Sequence, residues 1–218
     1  MSKYDYEYEW DIVYCYPDSS VLKNKLNIVD AEALLVAERE ITALRIAGIM
    51  DAPVRGKFDF KHLQAIHRAI FSDVFAWAGE PRTVDISKGN QFCLSRHIGT
   101  YAAGIFARLK EDRFLLGKSA EEMPERLTYY LSEINVLHPF RDGNGRAQRV
   151  FIEYLAQSAG FDVDFSQVDG KEMIETSALS FAKEYKPMTK MFTRILSPIS
   201  RQEQISFREA VGIVKQRR

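Results

Sequence analysis

The thirteen residues Leu137–Arg149, LHPFRDGNGRAQR, constrain this chain more than any other stretch. Apolar residues at helical spacing precede them and follow them. Between those helices stand a histidine, a carboxylate, Gly-Asn-Gly and three arginines. Pro139 disfavours helical backbone at His138, so the histidine is expected in a loop, its ring free to point out of the helix pack. An imidazole with a pKa of about 6.5 accepts a proton near neutrality. Asp142-Gly143-Asn144-Gly145 opens the next helix. Glycines there can aim several N–H groups at one point, and the helix N-terminus adds partial positive charge, which suits phosphate. Arg146 and Arg149, three residues apart, share a face of that helix and can clamp an extended polyanion. Asp142 sits where a single carboxylate could hold Mg²⁺ against phosphate oxygens.

Each residue also has an ordinary reading. His138 could end a helix, Asp142 could cap one, Gly143–Gly145 could be a turn, and Arg149 could pair with Glu153 on the surface. Together they form a base, a metal ligand, a phosphate cradle and two cations. That is the equipment for attack by a hydroxyl on a nucleotide phosphate, where positioning and charge neutralisation carry most of the catalysis. There is no Walker lysine, so the segment is not a P-loop.

The rest of the 218 residues gives one substantial core, 46% of them being hydrophobic. Thirty basic and thirty acidic side chains cancel, which argues against a general nucleic-acid binder. Cys15 and Cys93 show neither a disulfide framework nor metal-ligand spacing, and no segment reads as a membrane span or a signal peptide. A cytoplasmic protein is the expectation.

Three regions are expected: an irregular, tyrosine-rich arm over 1–28, a helical domain over 29–198, and a final helix, or the start of a further region, over 199–218. Asp30 caps a helix of about five turns. Asp59 opens a second helix, expected to close at Gly79, with Phe60, Leu63, Ile66, Ile70 and Val74 on one face. RTVDISKGNQFCLS reads as a β-hairpin, Val84 and Ile86 pairing with Phe92 and Leu94 around Lys88-Gly89-Asn90, and is the one convincing strand signal. Helical pattern resumes over 98–113. A Ser119–Glu122 capping box then precedes a stripe of Leu127, Tyr130, Leu131, Ile134 and Leu137. Ala147, Val150, Phe151, Tyr154 and Leu155 form the next stripe, and weaker helices are expected over 168–184 and 187–196. The fold class is all-α with one short hairpin.

His138 to Arg149 resembles the signature of the Fic (filamentation induced by cAMP) family, His-Pro-Phe-x-Asp/Glu-Gly-Asn-Gly-Arg-x-x-Arg, at every position. FKHLQAIHRAIFSDVFAWAGEPRTVDISKGNQF resembles the stretch that these proteins carry ahead of the signature, and YPDSSVLKNKLNI their N-terminal entry. The resemblance implies transfer of AMP from ATP to a hydroxyl side chain (Ser, Thr or Tyr) of a target protein. It implies His138 as general base, Asp142 as the Mg²⁺ ligand and Gly143, Asn144 and Gly145 as the anion cradle. Arg146 and Arg149 would lie on the phosphate chain, with Phe140 anchoring the loop. The hairpin becomes a flap that docks the target by strand addition, with Lys88 and Gly89 bordering the nucleotide. Without the resemblance, Lys88 is a solvated turn residue. His67 matches a family position with a packing or hydrogen-bonding role.

Many Fic proteins carry an inhibitory helix with Ser/Thr-x-x-x-Glu-Gly/Asn. No match lies upstream. Ser180 to Glu184 has the spacing, but Tyr185 follows, so it is read as coincidence. The chain resembles the class inhibited by a separate, antitoxin-like partner, and such a chain can also be an effector delivered into a host cell. Relatives of this architecture transfer UMP, phosphocholine or phosphate; the intact Gly-Asn-Gly-Arg favours AMP. A silent peptide-binding module would need neither His138 nor Asp142. A DNA-binding helical protein would need a basic recognition helix.

Overall fold

The computed structural model describes residues 11–214; the beginning of the expected arm and the last four residues lie outside it. Eight α-helices and two small antiparallel sheets make up the described residues. Helix α1 (Ala31–Asp51) starts where Asp30 accepts the Ala33 amide proton at 2.8 Å. Helix α2 (Phe60–Phe71) starts likewise on Asp59, but it ends at Phe71 and not at Gly79. Beyond it the chain turns, yet Val74, Phe75 and Ala78 remain buried, which is why the apolar spacing seemed to continue a helix.

The hairpin is shorter than expected. Strand β1 (Ser87–Lys88) pairs with β2 (Asn90–Gln91) around Gly89, whose φ of 70° belongs to the left-handed region. Ile86 and Phe92 lie just outside the ladder and are joined by a Phe92 N–H bond to the Ile86 carbonyl at 3.3 Å. Helix α3 (Ile98–Glu111) follows. Both arms of the Ser119–Glu122 box are present, one turn before helix α4 (Met123–Leu137).

Helix α5 (Asn144–Ala159) packs against α2 and α4, and every apolar residue expected on its inward stripe is buried. Full burial of one such side chain is worth roughly 1.5–3 kcal/mol. Helix α6 (Gly170–Phe181) and helix α7 (Lys186–Ile195) form the far side of the bundle, and helix α8 (Arg201–Ala210) closes it against α5. Ser200 and Glu203 give α8 a capping box. A second sheet, absent from the sequence reading, pairs β3 (Phe161–Val163) with β4 (Leu196–Pro198). Three-residue strands are too short to show a period. No helix of the described residues is long and apolar enough to cross a membrane.

Candidate active site

The end of α4, the start of α5, the flap, α1 and α6 surround one cavity of about 390 Å³. Lys88, His138, Asp142, Gly143, Asn144, Gly145, Arg146 and Arg149 all line it; Gly89, exposed at the flap tip, does not. Leu35, Met173, Ile174 and Phe181 give the same cavity an apolar side.

His138 terminates α4 in the left-handed conformation (φ 40°, ψ 60°), so it leaves the helix as Pro139 requires. Its ring is not free, contrary to the expectation. Phe92 covers it face to face, with centroids 3.7 Å apart and planes at 15°. The apolar spacing of the hairpin made Phe92 a strand residue and gave no sign of this contact. The Asn135 carbonyl, 3.2 Å from Nδ1, can only accept, so Nδ1 carries the proton of the neutral ring. Nε2 is then an unprotonated nitrogen, buried and without a hydrogen-bond partner. Burial holds the imidazole neutral, down to about 3, with the Arg82 and Lys88 charges acting in the same direction.

The loop from Pro139 to Gly143 is held by its own backbone and by its neighbours. Asn144 spends its side chain here: Oδ1 accepts from Phe140 N–H at 2.9 Å and Nδ2 donates to the Phe140 carbonyl at 2.7 Å. Both ends of its side chain are thereby fixed on the loop. Any side chain at Gly143 (φ 76°) would be strained and would displace Phe71, since a Cβ would stand 2.3 Å from its ring. No side chain caps α5, and its first residues, Asn144 to Arg146, line the cavity.

His67 lies between Phe71 and Phe140 at centroid distances of 4.5 and 3.8 Å. Its Nδ1 accepts from Gly79 N–H at 2.9 Å, so Nε2–H donates to the Asp142 carbonyl, also at 2.9 Å. Burial pushes it to about 3, which keeps this tautomer in place. Arg141, the variable position of the signature, forms a buried ion pair with Asp11 at 2.6 Å. The arm is therefore tied to the loop.

Arg146 is partly committed elsewhere: Glu38 of α1 pairs with it, and it donates to Thr42 Oγ1 at 2.9 Å. Burial raises the Glu38 carboxyl above its ordinary range. The sequence reading missed Glu38, although Leu34, Glu38 and Thr42 at four-residue spacing placed a glutamate on the buried stripe of α1. Ser180 and Glu184 do not share a helix, because α6 ends at Phe181.

Among the described residues no group of three or more His, Cys, Asp or Glu is placed to hold a metal ion. Glu38 also lines the cavity but is paired with Arg146, and Asp142 fits Mg²⁺ that arrives with phosphate oxygens and water as its other ligands. Asp142 Oδ1 already accepts the Gly143 N–H at 2.7 Å, which fixes the carboxylate at the loop.

A helical bundle with a flap over this loop defines the Fic/DOC class. Residues 57–156 match the Fic/DOC family model. The chain is 44% identical over 157 residues to a probable protein adenylyltransferase Fic of Salmonella typhimurium, covering 71% of this chain and 77% of that one. It is 36% identical to its Escherichia coli counterpart, covering 87% and 94%. It is 35% identical to the protein adenylyltransferase VbhT of Bartonella schoenbuchensis, covering 91% of this chain but only 42% of that longer protein. Among solved structures, the BepC protein of Bartonella tribocorum with bound AMPPNP superimposes with a TM-score of 0.81 at 27% identity, over 86% of this chain and 97% of that one. The chain belongs to the Fic/DOC family.

Proposed function

We propose that this protein transfers AMP from ATP to a hydroxyl side chain of a target protein. The observation that carries the reading is a neutral histidine, with its unprotonated Nε2 unpartnered, lining the same cavity as an open helix N-terminus. The backbone N–H groups of Asn144 and Gly145 hold phosphate oxygens, with Gly143 making the turn that aims them, and Arg149, Arg146 and Lys88 add positive charge. Asp142 would hold Mg²⁺, which would neutralise charge on the phosphates when bound.

The target hydroxyl attacks the α-phosphorus as its proton passes to His138 Nε2. The α–β phosphoanhydride bond breaks and pyrophosphate leaves, so the AMP ester and the imidazolium balance the step. A negative phosphate chain beside His138 favours the imidazolium, offsetting the burial that holds its pKa down. Nε2 is buried, so the groups around it have to open before a hydroxyl can reach it. The short flap keeps one edge open for strand addition by the target. That relatives are named protein adenylyltransferases supports AMP over other groups. An antitoxin-like protein that covers the cavity is the partner this reading calls for.

The test compares wild-type protein with His138→Ala, incubated with Mg²⁺, a bacterial lysate and ATP labelled at the α or γ position. Protein labelled from α-labelled ATP alone, and only with His138 present, is the expected result. Label from the γ position makes the chain a phosphate-transferring relative, and no label from either overturns the reading.

A further inference from the structure

Arg82 lies outside the signature, and its side chain is fully enclosed, 0% exposed. A buried guanidinium is stable only when its forked donors are met. Here they are met by main chain from two distant segments. Nε–H donates to the His138 carbonyl at 2.9 Å and Nη1 to the Val84 carbonyl at 2.7 Å. Nη2 donates to the Cys93 carbonyl. The Arg82 amide adds a bond to the Pro139 carbonyl at 2.8 Å, and the Asp85 carboxylate, 3.9 Å from Nη1, is a nearby countercharge.

Val84 leads into the flap and Cys93 leads out of it. One guanidinium therefore fastens both stems of the flap to the carbonyl of His138. Cys93 is also pinned from the other side, its N–H donating to the Val136 carbonyl at 2.9 Å. Phe92, adjacent to Cys93, is the residue whose ring lies on the His138 imidazole. An arginine needed for the core alone would have no reason to reach the two flap stems and the candidate base together.

We propose that Arg82 is a positioning residue that registers the flap against His138, setting where the target segment lies relative to the base. The proposal rests on the reading of His138 as that base. A lysine at the same place keeps the charge but loses the fork, so it cannot hold three carbonyls in fixed directions.

The test uses Arg82→Gln and Arg82→Lys in the whole chain, with histidine ring carbons labelled for NMR. In the wild type the His138 ring protons are shifted upfield by the Phe92 ring lying on them, a signal assigned by its loss in His138→Asn. In both variants that shift is lost, and the Phe92 and Cys93 amides exchange roughly tenfold faster or more. The His62 and His67 signals stay in place, reporting an intact core. Turnover in the labelling assay falls by more than ATP affinity does, because the loop that holds the phosphates is untouched and only Lys88 on the flap is displaced. A folded variant with unchanged His138 and flap signals overturns the proposal; should Arg82→Gln not fold, Arg82→Lys decides by the same signals. A wild-type chain that labels nothing overturns the proposed function instead, and the NMR signals still decide the role of Arg82 in registering the flap.

Discussion

Replacing Glu153 by glutamine tests the electrostatics of α5 beneath the cradle. Glu153 is half-buried, and burial pushes its carboxyl from 4.5 up to about 7; Asp162 and Asp164 add to the rise and Arg149 opposes it. The sign follows from linkage. A carboxyl whose folded pKa is raised contributes stability that is whole below about 4.5 and lost as pH climbs through about 7. Each pKa unit is worth about 1.4 kcal/mol, so the loss by pH 8 is roughly 2–3 kcal/mol once solvent screening is allowed for. Glutamine cannot ionise and escapes that loss. Urea unfolding followed by circular dichroism at pH 5, 6, 7 and 8 should give nearly equal stabilities at pH 5. At pH 8 the variant should be more stable by roughly 2–3 kcal/mol. If Arg149 and Glu153 were instead a stabilising surface pair, the variant would be the weaker protein at pH 8. That outcome, or two parallel pH curves, would refute the reasoning.

Three further predictions concern the loop. Gly143→Ala should weaken ATP binding at least tenfold and cost roughly 2–4 kcal/mol of stability, because the Cβ meets Phe71 and the left-handed φ is strained; calorimetric titration and thermal unfolding check both. Asp11→Ala should cost roughly 3–5 kcal/mol by leaving Arg141 as a buried charge, whereas Asp11→Leu with Arg141→Met should recover most of that loss in urea unfolding. Phe92→Ala should uncover His138, so its pKa rises from about 3 toward the ordinary histidine range, followed by NMR titration; an unmoved value would mean the flap ring contributes nothing to its burial.

Local signals made much of this molecule legible in its sequence. Asp30 and Asp59 announced helix starts because a cap is a contact between near neighbours. The stripes of α4 and α5 were legible because their period is long and regular. What stayed hidden depends on residues far apart in the chain. Phe161–Val163 pairs with Leu196–Pro198 by meeting it in space, and neither segment is long enough to alternate. The covering of His138 by Phe92, the pairing of Glu38 with Arg146 and the reach of Arg82 are all tertiary contacts. The loop's residue types could be read as chemistry because glycines, a carboxylate and arginines at that spacing have few other uses. Their geometry could not, and Asn144 shows the difference: nothing in its spacing announced that its side chain would bond both main-chain groups of Phe140 and hold the loop.

The anchors of that loop also bear on when it forms. Asp11 holds Arg141 across 130 positions of chain, Glu38 holds Arg146 across 108, and His67 holds Asp142 across 75. Closing such long intervals costs entropy that local contacts do not return, so these bonds form after the helices have docked. The proposed phosphate cradle is thus a late product of folding. A chain that is half made, or locally unfolded in its first third, has the whole signature in its sequence and no cradle to hold ATP. Nucleotide binding by this loop, as proposed, would therefore report that the arm, α1 and α2 are all docked on it.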